Sequence, residues 1–330
     1  MFSHYGSGKI STLRLPGSLE SGDTSLVVAG SDNGVVCLSE YSTKTTIYLW
    51  NPTTGEVKKL PPPTYCRLWQ NFNSRLGLIY DPVMNDFKVV MVCSHLSGDR
   101  VRDGSIFAMF QRCNTVVIYS LRTNSWKRIQ MSNIFSSSSS VSTLLNYDCS
   151  VVVNGSIHWT LYYHDQDNYG GGRNFKFGVV AFSLTTEEFK LIKAPQHIKA
   201  KSVQSIGKLS ENLSFINRDA PGSVEIWIMK EHGASYSWIK QASVDLTFFL
   251  KWPSLRKWRF FFRHEWLFFQ QPHEQHEQVF SIAFGNNVYV IICSASHGLF
   301  WYNLNSNTLE YLGPEITVVG FNSASTYLLN

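Results

Sequence analysis

One short pattern recurs along this chain and constrains its fold more than any other feature. An apolar run ends in an aromatic residue, a turn of Thr, Asn, Ser or Gly follows, and a second short run comes next. It reads Tyr48-Leu49-Trp50-Asn51-Pro52-Thr53-Thr54-Gly55-Glu56-Val57, and again Val117-Ile118-Tyr119-Ser120-Leu121-Arg122-Thr123-Asn124-Ser125-Trp126. It returns as Val180-Ala181-Phe182-Ser183-Leu184-Thr185-Thr186-Glu187-Glu188-Phe189, loosely as Glu225-Ile226-Trp227 closed by Ser237-Trp238, and last as Phe300-Trp301-Tyr302-Asn303-Leu304-Asn305-Ser306-Asn307-Thr308-Leu309. Ahead of each copy stands another pair of strand-like runs, joined at Asn33-Gly34, Asn85-Asp86, Asn154-Gly155, Glu211-Asn212 or Asn286-Asn287. Asn-Gly between apolar runs marks a tight hairpin, because both residues tolerate positive φ. Each unit therefore has four short strands, and four-stranded units in line describe the blades of a β-propeller.

The sequence thus predicts an all-β, β-propeller-like fold of five to seven four-stranded blades, with six favoured. Five complete units are countable. A sixth would form from Ile316–Leu329 joined to N-terminal strands near Ile10–Leu15. Closing the ring in this way would hide the open sheet edges that invite aggregation. The absence of strand–helix alternation argues against a parallel α/β sheet. Composition agrees: 44% of residues are hydrophobic and 14% aromatic, and only 16% are charged, against roughly 25% in ordinary soluble domains. A disordered chain would be charge-rich and aromatic-poor. Residues 1–24 read as a short polar segment and 25–330 as the propeller-like domain.

The six cysteines, Cys37, Cys66, Cys93, Cys113, Cys149 and Cys293, are widely spaced. Cys-x-x-Cys metal and redox motifs are therefore absent, and buried free thiols in a reducing compartment are the simplest reading. Met1–Ile10 is polar, without the apolar stretch of a secretory signal. A cytoplasmic or nuclear setting is expected, with the sequons Asn154-Gly155-Ser156 and Asn212-Leu213-Ser214 unglycosylated. The most apolar tract, Leu246–Gln270, is broken by Lys251, Arg256, Lys257, Arg259, Arg263 and Glu265. A spanning helix needs about 20 nearly uncharged residues, so no membrane span is expected.

Motifs that carry chemistry are weak. Net charge is +5 with a pI near 8.8, mild for a nucleic-acid domain. Lys251-Trp252-Pro253-Ser254-Leu255-Arg256-Lys257-Trp258-Arg259-Phe260 interleaves bases with aromatics and could stack single-stranded bases. A strand or loop with aromatics inward, or a protein contact, fits it better. Pro272-His273-Glu274-Gln275-His276-Glu277 misses the four-residue His spacing of a zincin. Gly170-Gly171-Gly172 and Gly6-Ser7-Gly8-Lys9-Ile10 lack the features of a phosphate loop. No Gly-x-Ser-x-Gly elbow occurs. His158, beside Trp159 on an expected inner strand, reads as a core imidazole bonded to backbone rather than as a catalytic base. Ser136–Ser140 reads as a low-complexity linker.

The insertions follow a pattern. Long segments fall between second and third strands (Ser94–Asn114, Tyr163–Lys176) or between units (Pro61–Ser74, Met131–Asn146, Ala242–Gln278). In an up-and-down blade these all emerge on one face, and loops on a rigid scaffold are where function usually sits. That face is expected to bind the partner; drift in solvated loops is the plainer reading. The expected contacts there are Arg100, Arg102, Tyr169, Arg173, Trp252, Arg256 and Trp258, since Tyr, Trp and Arg dominate interface energetics.

These motifs resemble the F-box-associated region of plant F-box proteins, the group that includes S-locus F-box proteins and kelch-like members. The likeness rests on Ser31-Asp32-Asn33-Gly34-Val35-Val36-Cys37-Leu38, Leu49-Trp50-Asn51-Pro52-Thr53-Thr54, Lys59-Leu60-Pro61-Pro62, Gly77-Leu78-Ile79-Tyr80-Asp81 and Asn85-Asp86-Phe87-Lys88-Val89-Val90. It continues through Val117–Leu121, Asn124-Ser125-Trp126, Val153-Asn154-Gly155-Ser156-Ile157-His158-Trp159, Ile226–Glu231 and Ser237-Trp238. In that family the β-rich region recognises a protein substrate. An N-terminal F-box docks the Skp-type adaptor of a cullin-based ubiquitin ligase, and catalysis belongs to other subunits. Nothing before Thr24 resembles an F-box. The resemblance therefore implies a protein substrate as partner, and a Skp-type adaptor and cullin only where an F-box is supplied. It implies no catalytic residue, cofactor or metal. Two other classes stay open: a propeller enzyme of glycosidase or oxidase type with paired carboxylates in the channel, and a single-stranded nucleic-acid binder through residues 251–263.

Overall fold

Runs of Val, Ile, Tyr, Phe and Trp form strands because branched and aromatic side chains pack well on pleated surfaces. A computed structural model of the chain describes residues 26–40, 46–63, 72–95, 115–129, 150–164, 175–198, 203–217, 223–245, 279–284, 289–294 and 298–313. They contain five four-stranded antiparallel sheets, each made of consecutive strands. Sheet 1 holds β1 (Leu26–Asp32), β2 (Val35–Glu40), β3 (Ile47–Trp50) and β4 (Val57–Lys59); sheet 2 holds β5 (Phe72–Asp81), β6 (Asp86–His95), β7 (Thr115–Ser120) and β8 (Ser125–Ile129). Sheet 3 holds β9 (Val151–Val153), β10 (Ser156–His164), β11 (Phe175–Ser183) and β12 (Glu188–Lys193). Sheet 4 holds β13 (Val203–Leu209), β14 (Asn212–Asn217), β15 (Ser223–Met229) and β16 (Trp238–Asp245). Sheet 5 holds β17 (Val279–Phe284), β18 (Tyr289–Ser294), β19 (Gly298–Asn303) and β20 (Thr308–Gly313).

The first strands meet at a common centre: β1 lies against β5, β5 against β9, β9 against β13, and β13 against β17. The fourth strands form the rim, as in propeller blades. A parallel bridge between Gly30 and Ser150 gives β1 and the chain entering β9 the same direction. Ser150 donates both its backbone N–H and its hydroxyl to the Ala29 carbonyl, each at 2.9 Å. The approach is too close for side chains. A Cβ on Gly30 would stand 2.3 Å from Ser150 Oγ, and one on Gly77 would stand 2.6 Å from Ile157 Cγ2.

The core is the set of interfaces between successive sheets. Alternation along one strand feeds two of them: Val89 and Met91 pack against sheet 1 with Cys37, Ile47 and Leu49, while Val90 and Val92 pack against sheet 3 with Ile157, Trp159 and Phe182. Strands buried on both faces read as continuous apolar runs, which is how β6, β7 and β11 appear in the sequence. Trp50, Tyr119, Phe182, Trp227 and Tyr302, the aromatics that mark the repeat, are all buried. Cys37 and Cys93 are buried free thiols. No helix among the described residues is long and apolar enough to cross a membrane.

The repeat has a local cause. The residue after the aromatic caps the turn. Asn51 Oδ1 accepts the Thr53 N–H at 2.9 Å, Asp81 Oδ1 that of Val83 at 3.0 Å, Ser120 Oγ that of Thr123 at 3.2 Å, and Asn303 Oδ1 that of Asn305 at 2.8 Å. The last turn residue then takes positive φ, at Gly55, Asn85, Asn124, Glu187 and Asn307. Where the aromatic is Tyr, its hydroxyl closes the turn on that Asn: Tyr80 on Asn85 and Tyr119 on Asn124 at 2.7 Å, Tyr302 on Asn307 at 3.0 Å.

The described residues show five four-stranded sheets, one for each unit counted in the sequence; the segments named for the favoured sixth, 10–15 and 316–329, lie outside them. One expectation needs correction. The turn expected at Glu211-Asn212 falls one residue earlier, at Ser210-Glu211, with φ of 49° and 62°. Asn212 already belongs to β14, where its side chain donates to the Ser210 carbonyl at 2.8 Å. The Asn286-Asn287 turn is outside the described residues.

Candidate functional site

Sheet topology sorts the connections. In every sheet the first-to-second and third-to-fourth turns leave from one end, and the second-to-third and sheet-to-sheet connections leave from the other. The two longest expected second-to-third insertions depart from that second end, between β6 and β7 and between β10 and β11. The expected contacts Arg100, Arg102, Tyr169, Arg173, Trp252, Arg256 and Trp258 all lie outside the described residues, as do Ser136–Ser140, Gly170–Gly172 and Pro272–Glu277.

At the centre, the carboxylates of the described inner strands are Asp32 and Asp81. Asp32 Oδ2 accepts the Tyr80 N–H at 2.7 Å, which ties β1 to β5. Burial pushes its carboxyl above the usual range, against the opposing pull of the Tyr80 and Asn33 N–H groups and the Lys208 charge. Asp81 is held below the usual range, chiefly by its bond to Lys88, and also caps the following turn. Each carboxylate is thus engaged by the fold. Among the described residues no group of three or more His, Cys, Asp and Glu could hold a metal ion.

Among the described residues, the imidazoles with shifted pKa values sit at the seam between sheets 3 and 4. His158, on β10, is fully buried. Its Nδ1 lies 3.2 Å from the Val151 carbonyl oxygen, which can only accept, so Nδ1 carries the proton and Nε2 is bare. His232 Nε2, 3.0 Å from His158 Nε2, must then be the donor. Burial, and then the neighbouring His232, lower the His158 pKa to about 4. Partial withdrawal from water and the Lys190 charge lower that of His232. His158 is neutral, with both nitrogens engaged, and cannot reach a substrate. It is the backbone-bonded core imidazole that the sequence implies. Two side chains beside it escape sequence reasoning, His232 and Lys190. The signal that could have found them is the loose fourth copy, whose connection Lys230–Ser237 replaces the short polar turn of the other copies.

That connection lies along β12. Gly233 packs against Lys190, whose Nζ stands 3.0 Å from where a Cβ would be. Ser235 Oγ accepts the Lys193 N–H at 2.9 Å, and Trp238 Nε1 donates to the Lys193 carbonyl at 3.1 Å. Phe215 stacks on Trp227 beneath, with ring centroids 5.9 Å apart.

Residues 15–309 match the family model of the F-box associated beta propeller domain. F-box protein CPR1 of Arabidopsis thaliana is 29% identical over 233 residues, covering 66% of this chain and 52% of that protein. The F-box/kelch-repeat protein At3g23880 of the same plant is 24% identical over 229 residues, covering 68% and 54%. The chain spans about half the length of the curated relatives it matches. Among solved structures, that of YjhT is 11% identical with a TM-score of 0.45, covering 82% of this chain and 72% of the other.

Proposed function

Because the chain belongs to the F-box-associated β-propeller family, we propose that it is a protein–protein interaction module of the kind that recognises a substrate for an SCF-type ubiquitin ligase. The family match over residues 15–309, most of the chain, carries this reading. Two features of the fold support it. The turns are closed by side-chain bonds, and the inner carboxylates Asp32 and Asp81 tie neighbouring strands and turns into that scaffold. Contacts to the partner come from the long segments at one end of the sheets, through Arg100, Arg102, Tyr169, Arg173, Trp252, Arg256 and Trp258. Engagement of a Skp-type adaptor and a cullin belongs to this domain only where an F-box is joined to it. A cytoplasmic or nuclear setting suits the buried free thiols Cys37 and Cys93.

The test is crosslinking in plant cells followed by quantitative recovery of bound proteins. Wild type is compared with Arg256→Glu/Trp258→Ala and with a control altered at the short turns, Thr53→Ala/Thr185→Ala. A protein kept by wild type and control but lost from the first variant is expected. Equal recovery by all three, or nothing above a tag-only control, contradicts the reading.

A further inference from the structure

Sheets 1, 2, 3 and 5 join their third and fourth strands through Asn51–Glu56, Leu121–Asn124, Leu184–Glu187 and Leu304–Asn307, whose tips are mostly Thr, Asn and Ser. Sheet 4 alone among them uses the longer Lys230–Ser237, with a 3-10 turn at Ser235–Ser237. The fold does not require this excursion, since the other four sheets close without one.

The excursion is nevertheless built rigidly. Ala234 N–H donates to the Glu231 carbonyl at 3.0 Å and Ser237 N–H to the Ala234 carbonyl at 2.9 Å. Ser237 Oγ accepts the Glu231 N–H at 3.0 Å. Outside the turn, His232 is fixed by His158, and Ser235 by the Lys193 backbone. The product of this scaffolding is Tyr236, 82% exposed, its hydroxyl held by Glu231 at 2.7 Å. A large amphipathic ring already fixed in place loses little entropy on binding, and Tyr is a preferred anchor at protein interfaces.

The charge beside it is that of Lys190, which shares with Lys58, Lys59, Lys193 and Lys230 the lack of a carboxylate partner among the described residues. Lys88, Lys127, Lys208 and Lys240 each pair with a carboxylate. Lys190 has no such partner among the described residues; its charge bears instead on His232. A positive charge therefore stands where the turn crosses β12, beside an imidazole whose one N–H is already given to His158. Glu188 lies on the same strand as Lys190, and Glu231 is engaged by Tyr236.

We propose that the Lys230–Ser237 turn together with Lys190 is a docking surface for a protein segment that presents a carboxylate beside an apolar side chain. The carboxylate meets the Lys190 ammonium, and the apolar group covers the Tyr236 ring. The surface lies at the end of the sheets that carries the short turns, away from the long segments. It rests on the reading of the domain as a protein-binding module and adds the chemistry of one contact.

The purified whole chain is applied to an array of capped nonapeptides in a Gly/Ser frame. Each carries Asp, Glu, Lys or Arg next to Leu, Val or Phe. Wild type is expected to retain the acidic–apolar peptides, and Tyr236→Ala to retain about tenfold less. Lys190→Gln should lose the preference for acid, and Lys190→Glu should reverse it toward Lys and Arg. Near-UV circular dichroism of each variant confirms the fold. Trp258→Ala should leave the array profile intact even as it loses the crosslinked partner, which keeps this surface separable from the long-segment contacts. No acidic–apolar preference, a profile unmoved by Tyr236→Ala and Lys190→Glu, or a profile lost with Trp258→Ala overturns the proposal.

Discussion

The indole nitrogen of Trp159 donates to the carbonyl oxygen of Leu76 at 2.9 Å, joining β10 to β5 inside the core. Trp126 reaches the Pro61 carbonyl at 2.7 Å, and Trp238 that of Lys193 at 3.1 Å. The first and third bonds cross from one sheet to the preceding one, and the second reaches the connection that leaves the preceding sheet. Trp159→Phe keeps much of the buried area and removes the donor, so it should destabilise by about 1–2 kcal/mol. Trp159→Ala should cost about 3–5 kcal/mol. Urea unfolding with an unchanged slope checks both.

Glycine at the crowded centre gives a second prediction. Gly77→Ala would drive a methyl to within 2.6 Å of Ile157 Cγ2 and 2.8 Å of Trp159 Cζ2, both in the packed core. A loss of about 1–3 kcal/mol is expected. At Gly30 the main obstacle is the Ser150 hydroxyl, with the Leu78 backbone nitrogen a further tight contact at 3.3 Å. Ser150→Ala should therefore partly rescue Gly30→Ala, although alone it gives up the bond to Ala29. Thermal midpoints of the two single variants and the double variant decide this.

Acid should loosen the seam between sheets 3 and 4. An imidazole in the unfolded chain takes a proton near pH 6.5, whereas folded His158 does so only at about 4. Between these values the unfolded state binds more protons, so stability is full above about pH 6.5 and is lost as pH falls toward 4. The His232 shift has the same sign. The loss attributable to His158 is on the order of 3 kcal/mol. The groups facing the pair are Lys190 and the Val151 carbonyl, and neither offers a protonated imidazole a counter-charge. Unfolding free energies from pH 7 to pH 4 should fall more steeply in wild type than in His158→Gln.

The Tyr–Asn turns predict a graded series. Tyr119→Phe removes one hydrogen bond and should cost about 1 kcal/mol. Asn124→Ala loses the same bond and leaves a left-handed φ of 51° to a residue without Asn's tolerance of it, adding roughly 1 kcal/mol. Asn124→Gly should cost less than Asn124→Ala, because the strain disappears. In the opposite direction, Ser210→Asn/Glu211→Gly should stabilise by about 1 kcal/mol, since two ordinary residues now hold left-handed backbone there. Chemical denaturation of all four variants checks the order.

The blades were legible because their signal is local. An aromatic, a capping Asn, Asp or Ser and a residue tolerant of positive φ lie within six positions, and each copy closes its own turn. Residue pairing between sheets was not legible. Nothing adjacent in the sequence links His158 to His232 or Gly30 to Ser150, and both contacts depend on how neighbouring blades stack. The one-residue error at Ser210-Glu211 has a similar origin. Asn212 carries the side chain usual for a turn, yet the pairing of Leu209 with Asn212 fixes the register from outside it. The fourth copy looked degenerate because its conserved spacing was replaced by a turn whose partners lie on β12.

The most direct measurement is the dissociation constant of the purified whole chain for the protein recovered by crosslinking, before and after Arg256→Glu/Trp258→Ala. Saturable binding that weakens about tenfold or more in the variant, with the unfolding midpoint unchanged, is the expected result. The same constant in both proteins, or no saturable binding in either, would contradict a protein-recognition role for this propeller.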